Sequence, residues 1–168
     1  MSMDRPKSPR ARVLGSRAGE TLGAPNTVRD RFMVGSEASG GGFALVEHLM
    51  PPRALAAPLH RHTLEDEYSY VREGRVGALL GEEEVFGEVD DLIFKPRGQW
   101  HTFWNAGDAP GRILEIVSSG GFETAYREMH ALGKDLNPET MAEIGARYGG
   151  EVDFEGTMPL IERHGLVF

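Results

Sequence analysis

Between residues 12 and 118 the chain never runs far without a corner, because short apolar stretches are cut repeatedly by glycine-bearing turns. Segments 28–35, 43–50, 67–72, 75–80, 84–87, 92–95, 102–105 and 112–117 carry β-branched, aromatic or leucine side chains and are too short for ordinary helices. Ser39-Gly40-Gly41-Gly42, Glu73-Gly74, Leu80-Gly81, Asp90-Asp91, Arg97-Gly98 and Ala106-Gly107-Asp108 supply turns between them, and the chain holds 22 glycines. Many short strands at close turn spacing bury their apolar faces against one another, as a sandwich or a barrel. The fold class expected here is all-β.

Past Gly120-Gly121 the period changes. Phe122, Ala125, Tyr126 and Met129 recur at helical spacing up to about Gly133. Asn137-Pro138-Glu139 then reads as a helix start, with a cap, a proline in the first turn and an acid at the positive end of the dipole. Met141, Ile144 and Tyr148 form that helix's apolar stripe, and Gly149 is its stop. A third short helix is expected over 159–163, before Gly165. Helices this short need a partner, so they are expected to pack on the barrel. The organisation expected is a mobile tail over 1–11, a barrel over 12–118 and a helical extension over 119–168. A length of 168 residues suits one domain.

Composition narrows the chemistry. Hydrophobic residues at 40% and charged residues at 26% are ordinary globular usage. No apolar run approaches the roughly 20 residues of a membrane-spanning helix. The basic N-terminus is followed by no apolar stretch of the kind a secretory signal needs, so the cytoplasm is the expected compartment. A net charge of −8 repels phosphate backbones, which argues against a nucleic-acid partner. The absence of cysteine excludes disulfides, thiolate zinc sites, iron–sulfur clusters and a cysteine nucleophile. Any metal must be held by imidazole and carboxylate, which leaves iron, nickel, zinc, manganese, copper and cobalt open.

Two segments concentrate such donors. In His60-Arg61-His62-Thr63-Leu64-Glu65-Asp66-Glu67 the two histidines are two apart, so an extended strand turns both to one side. The carboxylates of Glu65, Asp66 and Glu67 follow. Glu67 differs from the histidines in parity and joins them only if a bulge or corner falls within 63–66. From Glu67 the strand alternates Glu67, Ser69, Val71 on one face with Tyr68, Tyr70, Arg72 on the other, the latter expected outward. In Pro96-Arg97-Gly98-Gln99-Trp100-His101-Thr102-Phe103-Trp104-Asn105, a turn places His101 at the start of a new strand, with Phe103 and Asn105 on its face.

These segments resemble the two signature motifs of the cupin superfamily. His60, His62, Glu67 and Gly74 meet His-x-His, four residues, Glu, six residues, Gly. Pro96, Gly98, His101 and Asn105 meet Pro-x-Gly, two residues, His, three residues, Asn. Ala54 and Asp90 stand where the family has leading glycines, a departure that touches turns rather than ligands. The resemblance implies a jelly-roll (double-stranded β-helix) barrel holding one divalent metal ion on His60, His62, Glu67 and His101. It favours Glu67 over Glu65 and Asp66. Gly121-Phe122-Glu123 and Arg147-Tyr148-Gly149 are similar to the extension of small single-domain cupins related to quercetin dioxygenases.

What that resemblance implies is an oxidoreductase, a dioxygenase, acting on a small enolisable or aromatic compound, with Glu67 as proton acceptor and Phe103 and Asn105 lining the substrate pocket. A non-redox metal-dependent isomerase, cyclase or lyase is one alternative, and a small-molecule-binding cupin without turnover is another. A homodimer is expected, since small cupins often pair through barrel strands. The remaining candidates read as structural. Trp104 is expected in the core or an interface, Lys95 and Arg97 as solvated charges, and His48, His130 and His164 as surface or satisfied core residues.

Overall fold

Alternation decides which residues face inward. In the strand Gly111–Ser118, residues 111, 113, 115 and 117 are buried and their neighbours half-exposed, and Glu67, Ser69 and Val71 alternate the same way in Asp66–Glu73. The structure, a computed structural model, describes residues 11–168; the tail expected over 1–11 falls, apart from residue 11, outside them. The strands are β1 (Glu20–Leu22), β2 (Arg29–Val34), β3 (Ala44–Met50), β4 (Leu59–His62), β5 (Asp66–Glu73), β6 (Val76–Leu80), β7 (Glu83–Gly87), β8 (Leu92–Lys95), β9 (His101–Asn105), β10 (Gly111–Ser118) and β11 (Gly150–Asp153). They form two antiparallel sheets, ordered β1-β2-β3-β10-β5-β8 and β11-β4-β9-β6-β7. Their inner faces make a jelly-roll barrel.

Met50, Val71, Val76, Ala78, Ile93, Phe103 and Ile113 form the barrel's apolar core. Trp104 is a core residue, wholly buried with Leu55, Leu160 and Leu166. Its indole lies where any larger residue at 77 would be, since a Cβ on Gly77 would sit 2.3 Å from the ring. That close approach is why glycine stands in mid-strand there.

The C-terminal helices are α1 (Glu123–Leu132), α2 (Pro138–Arg147) and α3 (Phe154–His164). The α2 start is as expected: Asn137 accepts from the Thr140 amide, and Thr140 returns the bond as a capping box. Two expectations need correction. The third helix begins at Phe154 rather than 159, because Asp153 caps it by accepting from Gly156 N at 2.8 Å. Between α2 and α3, residues 150–153 are a strand, β11, paired with β4 so that Val152 opposes His60 and Gly150 opposes His62. The extension therefore completes the sheet that carries the histidines. Ala44, Val117, Phe122, Ala125 and Ile144 pack as one cluster, joining α1 and α2 to the barrel. No helix among the described residues is long and apolar enough to cross a membrane.

Candidate metal centre

The backbone brings three imidazoles and a carboxylate together from separate strands. His60 and His62 point inward from β4, and His60 lies directly across from His101 on β9. The parity of Glu67 is resolved by a corner: residues 63–65 carry the chain from the β4 sheet to the β5 sheet, so Glu67 faces the histidines from the opposite wall. One ligand atom from each of His60, His62, Glu67 and His101 lies within 4.8 Å of the others, and all four residues are buried.

Ring orientation suits ligation. His60 Nδ1 donates to the Pro58 carbonyl at 2.7 Å and His101 Nδ1 to the Gln99 carbonyl at 2.9 Å. A carbonyl only accepts, so each Nδ1 carries the proton and each Nε2 keeps its lone pair for the interior. Burial, then the neighbouring His101 and His62, holds the His60 pKa well below its ordinary value, which keeps it neutral. His62 is the sharpest test of fit. Both its ring nitrogens are buried without a hydrogen-bond partner, although Nε2 lies 3.2 Å from Glu67 Oε1. That distance is short but its angles are unsuited to a hydrogen bond. A buried imidazole left in this state is costly, and a cation at the centre would satisfy it. The donor set fits a divalent metal.

Glu67 is held from several sides. Lys95 Nζ is 2.8 Å from Oε2 and the Tyr126 hydroxyl donates to Oε1 at 3.0 Å, while the unprotonated His101 Nε2 faces Oε2 at 3.2 Å, an approach that a cation between them would relieve. Burial pushes the Glu67 pKa up, but the Lys95 ammonium and then His62 outweigh it, and the carboxyl lies well below its ordinary range. Lys95 corrects the expectation of a solvated charge. It is 1% exposed, bridges Glu67 and Glu115, and lies 4.2 Å from the Phe103 ring centre. Arg97 is exposed as expected and holds Asp66.

Glu65 is buried rather than a solvated corner, but stays outside the quartet, its Oε2 3.9 Å from His62 Nδ1. Phe103 faces the interior beside Lys95 and His48. Asn105 does not present its amide to a ligand. Nδ2 donates to the carbonyls of Pro51 and Ala109, and Oδ1 accepts from Gly107 N, so the side chain pins turns. Asp90, at a leading-glycine position, adopts φ 76°, the conformation glycine favours. Two site residues went unread in the sequence: Tyr126, and Phe122, whose ring packs edge-on against His62 at 4.0 Å. Their signal was the helical spacing of residues 122, 125, 126 and 129 and, for Phe122, its place in Gly121-Phe122-Glu123, neither of which points to the quartet.

Antiparallel sheets closed around three inward imidazoles and a carboxylate define a jelly-roll barrel able to hold a metal ion. Residues 46–117 match the family profile described as "Cupin domain", a span that includes the whole quartet. Among curated proteins it is similar to the tetracenomycin polyketide synthase protein TcmJ of Streptomyces glaucescens. They are 37% identical over 59 residues, covering 35% of this chain and 40% of that protein. It is also similar to the oxidoreductase iacF of Pestalotiopsis fici, 32% identical over 103 residues, covering 61% of this chain and 47% of that protein. The chain thus spans less than half the length of either relative. Among solved structures, the polyketide cyclase RemF of Streptomyces resistomycificus superposes with a TM-score of 0.55 at 22% identity, covering 66% of this chain and 80% of that one. At that identity the likeness concerns the fold.

Proposed function

We propose that this chain is a metal-dependent oxidoreductase, of the dioxygenase kind, acting on a small enolisable or aromatic compound. The observation that supports this most is the buried convergence of His60, His62, Glu67 and His101 within 4.8 Å. These four would hold one divalent ion, and iron, nickel, zinc, manganese, copper and cobalt all accept such donors. A bound ion supplies Lewis-acid polarisation of a substrate oxygen and, where the metal is redox-active, electron transfer.

The chain's own groups do the rest. Phe103, Phe122 and Tyr126 set aromatic rings around the polar centre, a lining that suits a flat apolar substrate with a few oxygen atoms. Glu67, kept ionised by the Lys95 ammonium, would accept a proton from an enol hydroxyl. The likeness to an oxidoreductase over 61% of the chain supports redox chemistry. The likeness to a polyketide synthase protein supports a second reading, a non-redox cyclase, isomerase or lyase on a similar substrate. We also propose a homodimer formed through β8, one of the two edge strands of the larger sheet.

Oxygen uptake separates the readings. Iron-, nickel- and copper-loaded protein is offered flavonols and 1,2- and 1,3-diketones, and uptake with at least one is expected. Turnover that persists without oxygen would favour the second reading. A compound that raises the melting temperature and is recovered unchanged would replace both with a binding role.

A further inference from the structure

His48 lies inward on β3, opposite Asp30 of β2 and Ile113 of β10. Its Nδ1 is 2.6 Å from Asp30 Oδ1, and the other Asp30 oxygen is 2.9 Å from His130 Nε2 on α1. The carboxylate accepts from Nδ1–H, so Nε2 is the ring's working end. Among the described residues Nε2 makes no hydrogen bond, yet His48 is only 5% exposed. The ring sits between the two sheets, 5.6 Å from Phe103 and 5.8 Å from Tyr126, whose hydroxyl is on Glu67. A histidine oriented by a buried carboxylate, with its ring beside those of Phe103 and Tyr126 and its second nitrogen unengaged, exceeds what packing requires.

We propose that His48, oriented by Asp30, is a second proton-transfer group of the barrel interior, acting beside Glu67 on a bound enolisable substrate. This rests on the metal-enzyme reading above. Glu67 is a poor sole proton carrier, because Lys95 already draws on its carboxylate and a bound metal would do so as well. As an acid, His48 breaks its Nε2–H bond, forms O–H on the substrate's enolate oxygen, and is left neutral with Nδ1–H still on Asp30. As a base, Nε2 takes a proton from a carbon beside a carbonyl, and the electron pair of that C–H bond stays on the substrate as the enolate. No oxidant or reductant enters.

The groups around the ring suit this exchange. Asp30 on β2, Glu115 on β10, Lys95 on β8, and Tyr126 and His130 on α1 surround it. Burial lowers the His48 pKa and Lys95 adds to that, but the Asp30 carboxylate, its hydrogen bond and Glu115 raise it above the ordinary value. The net effect favours the protonated ring, the form that can act as the acid. Asp30 is a positioning residue, since it acts only through the ring.

The test uses the full chain loaded with zinc and hydroxyacetone in heavy water, following loss of the carbon-bound proton signal by NMR. His48→Gln is expected to slow exchange by about 100-fold with zinc content and melting temperature held. Asp30→Asn is expected to move the acid limb of the pH profile downward, a change a bracing role alone would not cause. Exchange by His48→Gln at the wild-type rate overturns the proposal. If that variant fails to fold, ¹⁵N NMR of the wild-type ring decides: the His48 midpoint must move when hydroxyacetone binds, and an unmoved midpoint overturns the proposal. Failure of the metal-enzyme reading looks different, because wild-type protein then retains no zinc or binds no hydroxyacetone, and the His48 proposal falls with it.

Discussion

Lys95 and Glu67 form a fully buried ion pair at 2.8 Å, and the same ammonium lies 3.1 Å from Glu115. Ser69 also donates to Glu115 at 2.6 Å. One cation thus answers two carboxylates inside the barrel, next to the position a metal would take. Lys95→Met leaves both carboxylates buried without it, and breaking such a pair costs about 3–5 kcal/mol. The loss is expected in metal-free protein and is expected to shrink with zinc, because a divalent ion on Glu67 restores positive charge. Urea unfolding with and without zinc measures both. A loss below about 1 kcal/mol without metal would remove Lys95 as the counter-charge.

Replacing His60 or His101 by alanine is expected to abolish most metal binding while the barrel stays folded, because Met50, Val71, Val76, Ile93 and Ile113 hold the core without help from an ion. Zinc at 100 times its dissociation constant stabilises a binding protein by about 2.7 kcal/mol. Wild-type protein is expected to gain this much and the alanine variants almost nothing. Metal analysis and far-ultraviolet circular dichroism check occupancy and fold, and full occupancy in either variant would unseat the ligand assignment.

The quartet was legible because its spacing is stereochemically simple. Two histidines two apart share a strand face, and a Pro-x-Gly turn delivers His101 to the start of the opposing strand. Glu67 was legible only through the motif, since parity alone pointed it the wrong way and the corner that redirects it carries no pattern of its own. Lys95 was misread although its strand held the clue: it shares a face with Ile93, which is core. Tyr126 and Phe122 announced burial by helical spacing, but no local pattern says which wall a helix meets. β11 was invisible, because Gly150-Glu151-Val152-Asp153 is short and half charged. Only the tertiary pairing with β4 makes it a strand.

Acidity probes the Asp30–His48 pair through stability. Burial raises the Asp30 pKa, but His48 and His130 outweigh it, and the carboxyl lies well below its ordinary 3.8. Its contribution is present above pH 3.8 and is lost as pH falls towards the folded value. The His48 pKa is raised above 6.5, so its contribution is complete below 6.5 and is lost as pH rises through the folded value. Wild-type protein should therefore exceed Asp30→Asn in stability most between these limits, by about 1.4 kcal/mol for each tenfold gain in proton affinity that the pairing gives His48. The gap should narrow as pH rises through the folded His48 value. Chemical denaturation across that range checks it, and a gap independent of pH would show that the pair does not titrate as described.

Asn105 is wholly buried, and its amide bonds to backbone groups of residues 51, 107 and 109 at 2.8–2.9 Å. Asn105→Ala strands those groups, at an expected cost of about 2–4 kcal/mol, and zinc content per folded molecule is expected to be unchanged. Unfolding curves with metal analysis check this. An unaltered stability with altered ligand binding would return Asn105 to the pocket lining.

Dimerisation is tested at β8. Leu92 and Phe94 project outward from this edge strand at 57% and 48% exposure, while Ile93 and Lys95 point in. Phe94 also stacks on Tyr68 at 4.9 Å, which widens the apolar surface. An edge strand of this kind offers unpaired backbone groups beside apolar side chains, and lysine on an edge is a common way to block pairing. Sedimentation is expected to give a dimer for wild-type protein and a monomer for Phe94→Lys at the same concentration. Because Phe94 faces away from the quartet while Lys95 faces it, the variant should keep its full zinc content. Zinc loss accompanying dissociation would mean instead that the edge strand and the centre are coupled through Lys95.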